Sequence, residues 1–224
     1  MLATFCIEIT FAVYMIWRYK LTKISRLVVA ILICLAGFQG AEFLLCGMQG
    51  FEGGFWSRVA YLAITLLPPL GIHLAVTIAN KKNRVLVSAA YLSAVAFIGF
   101  FLFYSPAISG HTCYANYAVL RGNAGFASEA LYALYYYGWL VIGTYLCWNY
   151  SKAFKKKSQK HTRTALYALA AGYIMLLLPT TTVNLIDPST IAGIPSIMCG
   201  FAVILAFILV GKVAPEAEKK NLRS

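Results

Sequence analysis

The residues best placed to do chemistry are two carboxylates set inside apolar runs. Glu42 stands in the stretch Leu35 to Cys46, which otherwise reads as a segment made for lipid. An ionised side chain at such depth costs roughly 2.5–3.5 kcal/mol, so it is expected to face a protein interior or a water-filled cavity. Gln39 lies one turn earlier on the same helical face, and Gly37 with Ala41 forms a small-xxx-small step for a close neighbour. Glu8 is the second such carboxylate, in the first apolar run. Paired acids of this kind can hold an amine or a metal-free cation, or carry protons. Tyr136, Asn184 and Asp187 are the further polar groups that would line an outward-facing cavity with them.

Other chemistry finds little support in the residue pattern. The three histidines, His73, His111 and His161, have no ligand spacing, and there is no nucleophile–base pair or phosphate loop. No cofactor is expected, and no enzymatic activity. The last apolar run has no lysine before Lys212, so a retinal Schiff base cannot form there.

The elements that must position these groups follow from composition. Of 224 residues, 61% are hydrophobic and 12% charged, with mean hydropathy +0.74. Soluble domains carry about 25% charged residues, so this chain reads as a polytopic membrane protein. Seven runs reach the about 17–25 residues needed to cross the hydrocarbon core, at about 2–17, 27–46, 55–79, 85–105, 129–149, 164–186 and 191–211. The expectation is an all-α, seven-transmembrane-helix bundle over residues 1–211, with a short basic tail at 212–224. The first run lacks a basic start and a cleavage site, so it is read as retained.

Charge sets the orientation. Seventeen of the nineteen Lys and Arg residues fall in the 1–2, 3–4 and 5–6 loops and the tail, and only Arg58 and Arg121 fall opposite. Cations collect on the cytoplasmic side, so the N-terminus is expected outside and the C-terminus in the cytoplasm. The net charge of +12 is thus topogenic and meets anionic lipid headgroups, not nucleic acid. By the helical rise, Glu8 lies about 9 Å and Glu42 about 6 Å below the outer surface, at similar depth on neighbouring helices.

Four further features shape the bundle. Pro68-Pro69 predicts a kink in helix 3. Helix 5 carries Tyr132, Tyr135, Tyr136 and Tyr137, of which at least one must turn inward and find a hydroxyl partner. Helix 6 ends in the polar series Thr180, Thr181, Thr182, Asn184 and Asp187. The long outer loop holds Cys113, and Cys46 ends helix 2. A Cys46–Cys113 bridge would pin that loop over the bundle, while Cys6 as a partner and two free thiols fit the sequence equally well. Cys34, Cys147 and Cys199 read as small apolar residues.

Phe55-Trp56-Ser57-Arg58, Leu67-Pro68-Pro69-Leu70-Gly71-Ile72-His73, the Tyr-rich helix 5, the link Lys155 to Arg163, and Asn184 to Pro188 with Pro195 together carry a likeness. In them the chain resembles the seven-helix N-terminal sensor region of bacterial membrane histidine kinases. The resemblance implies a receptor-like sensing module in a bacterial inner membrane. About a dozen residues follow the last run, so output is expected through a separate signalling partner or a homo-oligomer. The competing reading is a small secondary transporter, proton-coupled through the two carboxylates.

Overall fold

The computed structural model describes residues 1–47, 53–104, 110–113, 118–121, 126–154, 159–186 and 194–221. Asp187 lies outside these residues. The helices are α1 (Leu2–Arg18), α2 (Lys23–Gly47), α3 (Gly53–Thr65), α4 (Leu67–Ile78), α5 (Arg84–Phe103), α6 (Phe126–Ala153), α7 (Lys160–Ile186), α8 (Ile194–Ile208) and α9 (Ala214–Asn221). A π-helical stretch, Leu209–Val213, joins α8 to α9. Because α3 runs into α4 and α8 into α9, the described helices form seven rods.

Five of these rods are long and apolar enough to cross a membrane: Lys23–Gly47, Gly54–Ile78, Arg84–Phe103, Lys160–Ile186 and Ile194–Lys219. The protein is therefore an all-α membrane protein. The other two are α1, at 17 residues, and α6, whose six tyrosines lower its hydropathy. The rods close on themselves: α1 packs on α2, α2 on α3 and α4, α5 on α3 and α4, α6 on α4, α7 on α6, and α8 on α7, α1 and α2. Phe38, Leu32 and Leu35 of α2, Ile72 and Leu74 of α4, Leu166 and Leu169 of α7, and Met198 of α8 fill the centre. Gly172 makes room for Leu205 where α7 meets α8.

Two features lie outside the expected helical rods. Part of the long loop after α5 is an antiparallel hairpin, β1 (Gly110–Cys113) with β2 (Ala118–Arg121). A disulfide joins Cys46 to Cys113 with the Cα atoms 5.7 Å apart, tying β1 to the end of α2. The expected polar tail is also partly helical. Ala214 and Ala217 are buried as α9 packs on α7, and His161 Nδ1 donates to Glu216 Oε2 at 2.7 Å. Glu216 also accepts from Lys219 Nζ at 3.3 Å.

The break between α3 and α4 falls at Leu66, just before Pro68-Pro69. Pro69 has no N–H, so the Thr65 carbonyl loses its helical donor. Tyr135 replaces it, its hydroxyl donating to Thr65 O at 2.6 Å. Tyr132 lies alongside, with its hydroxyl 2.9 Å from Thr65 Oγ1. The inward tyrosines of α6 are thus the partners of the proline break. At the far end of α4, Asn80 takes a left-handed φ of 51° and Asn83 caps α5 through Leu86 N, which turns the chain sharply.

Tyr135→Phe leaves the Thr65 carbonyl buried and unpaired, and should cost about 1–3 kcal/mol. Tyr145→Phe, at a residue 62% exposed, should cost far less. Thermal unfolding of both variants in the same detergent checks the difference.

Candidate functional site

The polar groups meet where α1, α2 and α8 pack together. On α1, Thr4 and Glu8 are one turn apart on the face turned to α2. The Thr4 hydroxyl lies 2.8 Å from Gln39 Oε1 and 2.7 Å from Met1 O, and so ties α1 to α2. Phe5 packs over Gly40, two residues out of step with that alignment. The two contacts together revise the equal depth expected for the two acids. They place Glu8 level with the stretch Leu35 to Gly37 and Glu42 level with the start of α1, so the two differ by about 8–10 Å along the bundle.

Cys199 of α8 is within electrostatic reach of both Glu42 and Glu8, and Tyr132 and Tyr136 of α6 are within reach of Cys199. Glu8, Gln39 and Glu42 are buried at one junction of α1 with α2, and Tyr136 is buried on α6. The recess expected to open beside them is closed in this structure: Glu8 is 0%, Gln39 2% and Glu42 1% exposed. Among the described residues, neither carboxylate oxygen of Glu8 has a hydrogen-bond partner.

The cavity that the bundle does enclose lies deeper and is almost wholly apolar. It measures about 20 Å³ and is bounded by Leu35, Gly71, Tyr136, Tyr173, Cys199 and Leu205, among others. Of the expected site residues only Tyr136 borders it. The Tyr173 hydroxyl is buried without a hydrogen-bond partner. Its ring is wedged between helices at Gly71 of α4 and Gly143 of α6, where added Cβ atoms would meet the hydroxyl and the ring.

The remaining polar residues are placed elsewhere. Asn184 is half-buried near the end of α7 and does not border the cavity. Thr180, Thr181 and Thr182 do not offer their hydroxyls to a ligand. They donate to Leu176 O, Leu177 O and Leu178 O at 2.8, 2.7 and 2.8 Å, one turn back on the same helix. His73 is a packing residue, its Nδ1 3.2 Å from the Tyr91 hydroxyl across α4 and α5. Sequence reading missed Thr4, Cys199 and Tyr173. Thr4 had a signal, since it precedes Glu8 by four residues on one helical face.

A helical membrane bundle with buried acids among close-packed rods is the class that fold and junction define. The family model for the N-terminal 7TM region of histidine kinase matches residues 1–213. The chain belongs to that family, as its sequence motifs suggested. No curated protein and no solved structure matches it.

Glu8→Leu should stabilise the protein, because it removes a buried carboxyl that nothing in the bundle hydrogen-bonds. A gain of about 1–3 kcal/mol raises the unfolding midpoint by about 2–4 °C for each kcal/mol. A lower midpoint would show that Glu8 is satisfied in the membrane. At the cavity, Gly71→Ala should destabilise by about 1–3 kcal/mol through overpacking against Tyr173. Adding Tyr173→Phe should recover part of that loss in a double-mutant cycle of unfolding midpoints.

Proposed function

We propose that the chain is a membrane sensing module that takes a small cation or amine from the exterior at the Glu8–Gln39–Glu42 junction. It crosses the membrane seven times, with its N-terminus outside and its C-terminus in the cytoplasm of a bacterial cell. It passes the signal to a separate partner or to a second copy. The observation that carries this reading is Glu8, a fully buried carboxyl with no hydrogen-bond partner, in a chain of the kinase 7TM family. A group this costly persists where a role requires it. The distribution of Lys and Arg supports the orientation. The lengths of α1 and α6, 17 and 28 residues, suit two further crossings.

In this reading the ligand enters by parting α1 from α2, which the Thr4–Gln39 contact holds together. A cation that reaches Glu8 would then supply the partners its carboxylate lacks, through charge-assisted hydrogen bonds. Asn184, near the end of α7, would stand at the entrance rather than at the junction.

The test is a thermal-shift and calorimetric screen of amines and monovalent cations against purified protein. A binder of the wild type should bind Glu8→Gln and Glu42→Gln at least about tenfold more weakly. Equal binding by all three proteins removes the junction as the site. Substrate-driven proton flux in proteoliposomes, lost in the same variants, would instead establish the transporter reading.

A further inference from the structure

The ends of α6 and α7 opposite the acid junction carry a second arrangement of charge. Trp148 and Lys152 are one turn apart on α6, and Arg163 and Tyr167 are one turn apart on α7. Lys152 Nζ lies 5.1 Å from the centre of the Trp148 ring, and the Arg163 guanidinium 5.4 Å from that of Tyr167. The two rings meet edge to face across the helix pair, with centroids 5.9 Å apart and planes at 80°. The result is a frame of four side chains in which both cations stand toward the helix ends and both rings lie one turn deeper.

Nothing in the neighbouring sequence neutralises this frame. From Trp148 to Tyr167 there are six Lys and Arg residues and no Asp or Glu. Among the described residues, the ion pairs join Glu216 to His161 and Lys219, and none involves Lys152, Lys160 or Arg163. Lys152, Lys160 and Arg163 are all exposed, and Trp148 is 48% exposed. Among the described residues, these cations are thus left free to meet an anion from outside the chain.

We propose that Lys152 and Arg163, backed by Trp148 and Tyr167, bind the headgroup of an anionic phospholipid at the end of the α6–α7 pair. The depth of each group suits that ligand. Trp and Tyr settle at the membrane–water boundary, where a lipid has its glycerol and first methylenes. One turn farther out, about 5 Å along the helix, two cations stand at the level of the phosphate. Basic pockets between membrane helices hold anionic headgroups in this manner. Cation–π contact keeps both long side chains over their rings, so less freedom is lost when the phosphate arrives. The exposed Lys81 and Lys82, by contrast, have no ring contact and frame no helix pair.

The experiment uses the full chain in neutral detergent, titrated with phosphatidylglycerol or phosphatidylcholine and read by native mass spectrometry. The wild type should retain phosphatidylglycerol in preference to phosphatidylcholine. Each cation near an anionic headgroup is worth about fivefold, so K152Q/R163Q should weaken retention about 25-fold. K152R/R163K, which keeps both charges, should retain the lipid, and K81Q/K82Q should behave as wild type. Equal retention of the two lipids overturns the site, as does wild-type retention by K152Q/R163Q. An equal loss in K81Q/K82Q overturns it too, by reducing the effect to general charge. Displacement of the lipid by an equal concentration of soluble glycerol phosphate shows a free-anion site and overturns the lipid assignment.

Discussion

The Tyr135–Thr65 hydrogen bond is the interaction on which the centre of this bundle depends. A membrane offers no water to a carbonyl released from a helix, so each one must be satisfied by protein. Pro69 releases the carbonyl of Thr65, and only a donor from another rod can replace the lost amide. That need explains why a helix as rich in tyrosine as α6 belongs in the structure. Tyr135 and Tyr132 spend their hydroxyls on Thr65, and their rings pack against Phe97, tilted, and Phe101, edge to face, on α5. One break thus recruits α6 and α5 and sets how α3 and α4 lie against them. The threonines of α7 after Pro179 likewise find their partners inside the protein, donating their hydroxyls to carbonyls of their own helix.

Set against that economy, the acid junction is an exception. The bundle provides partners for its freed carbonyl and its threonine hydroxyls, yet leaves both oxygens of Glu8 without a hydrogen bond. Packing does not require a carboxylate there, since Ala12 and Met15 continue the same face of α1 with apolar atoms. A helix that closes so tightly on α2 gains nothing in stability from Glu8. The costs of burying it are the ground for assigning it a role.

The rods were legible because lipid demands long apolar runs, and the break was legible because two adjacent prolines admit little else. The inward turn of the α6 tyrosines followed from their number, although which of them would reach Thr65 depended on the register of two helices. Register is also where the acid pair was misjudged. Counting from helix ends put Glu8 and Glu42 at one depth, whereas the contacts of Thr4 with Gln39 and Phe5 with Gly40 slide them about 8–10 Å apart. Cys199 could not be singled out, because its polar neighbours come from three other rods. The polar series after Pro179 looked like cavity lining, and only the geometry shows hydroxyls spent on carbonyls one turn back. The helical tail was missed because a charged composition conceals that Ala214 and Ala217 share a buried face with the end of α8.

The α8 rod links the two ends of the molecule. Near its start, Cys199 is within electrostatic reach of the carboxyls of α1 and α2. Farther along, Ala202 and Leu205 wall the cavity under Tyr173. The rod then passes through the π-helical stretch Leu209–Val213 into α9, which Glu216 and His161 hold against α7. A π-helical insertion is a local departure from regular α geometry, and such departures are frequent at functional sites. In the proposed sensing role, a cation arriving at Glu8 and Glu42 acts first on the neighbour they share, which is α8. A closed, well-packed interior transmits that displacement along the rod rather than absorbing it, except at the small cavity where Leu205 has room to move. The segment displaced at the far end is α9, the part of the bundle best placed to meet a partner outside the membrane.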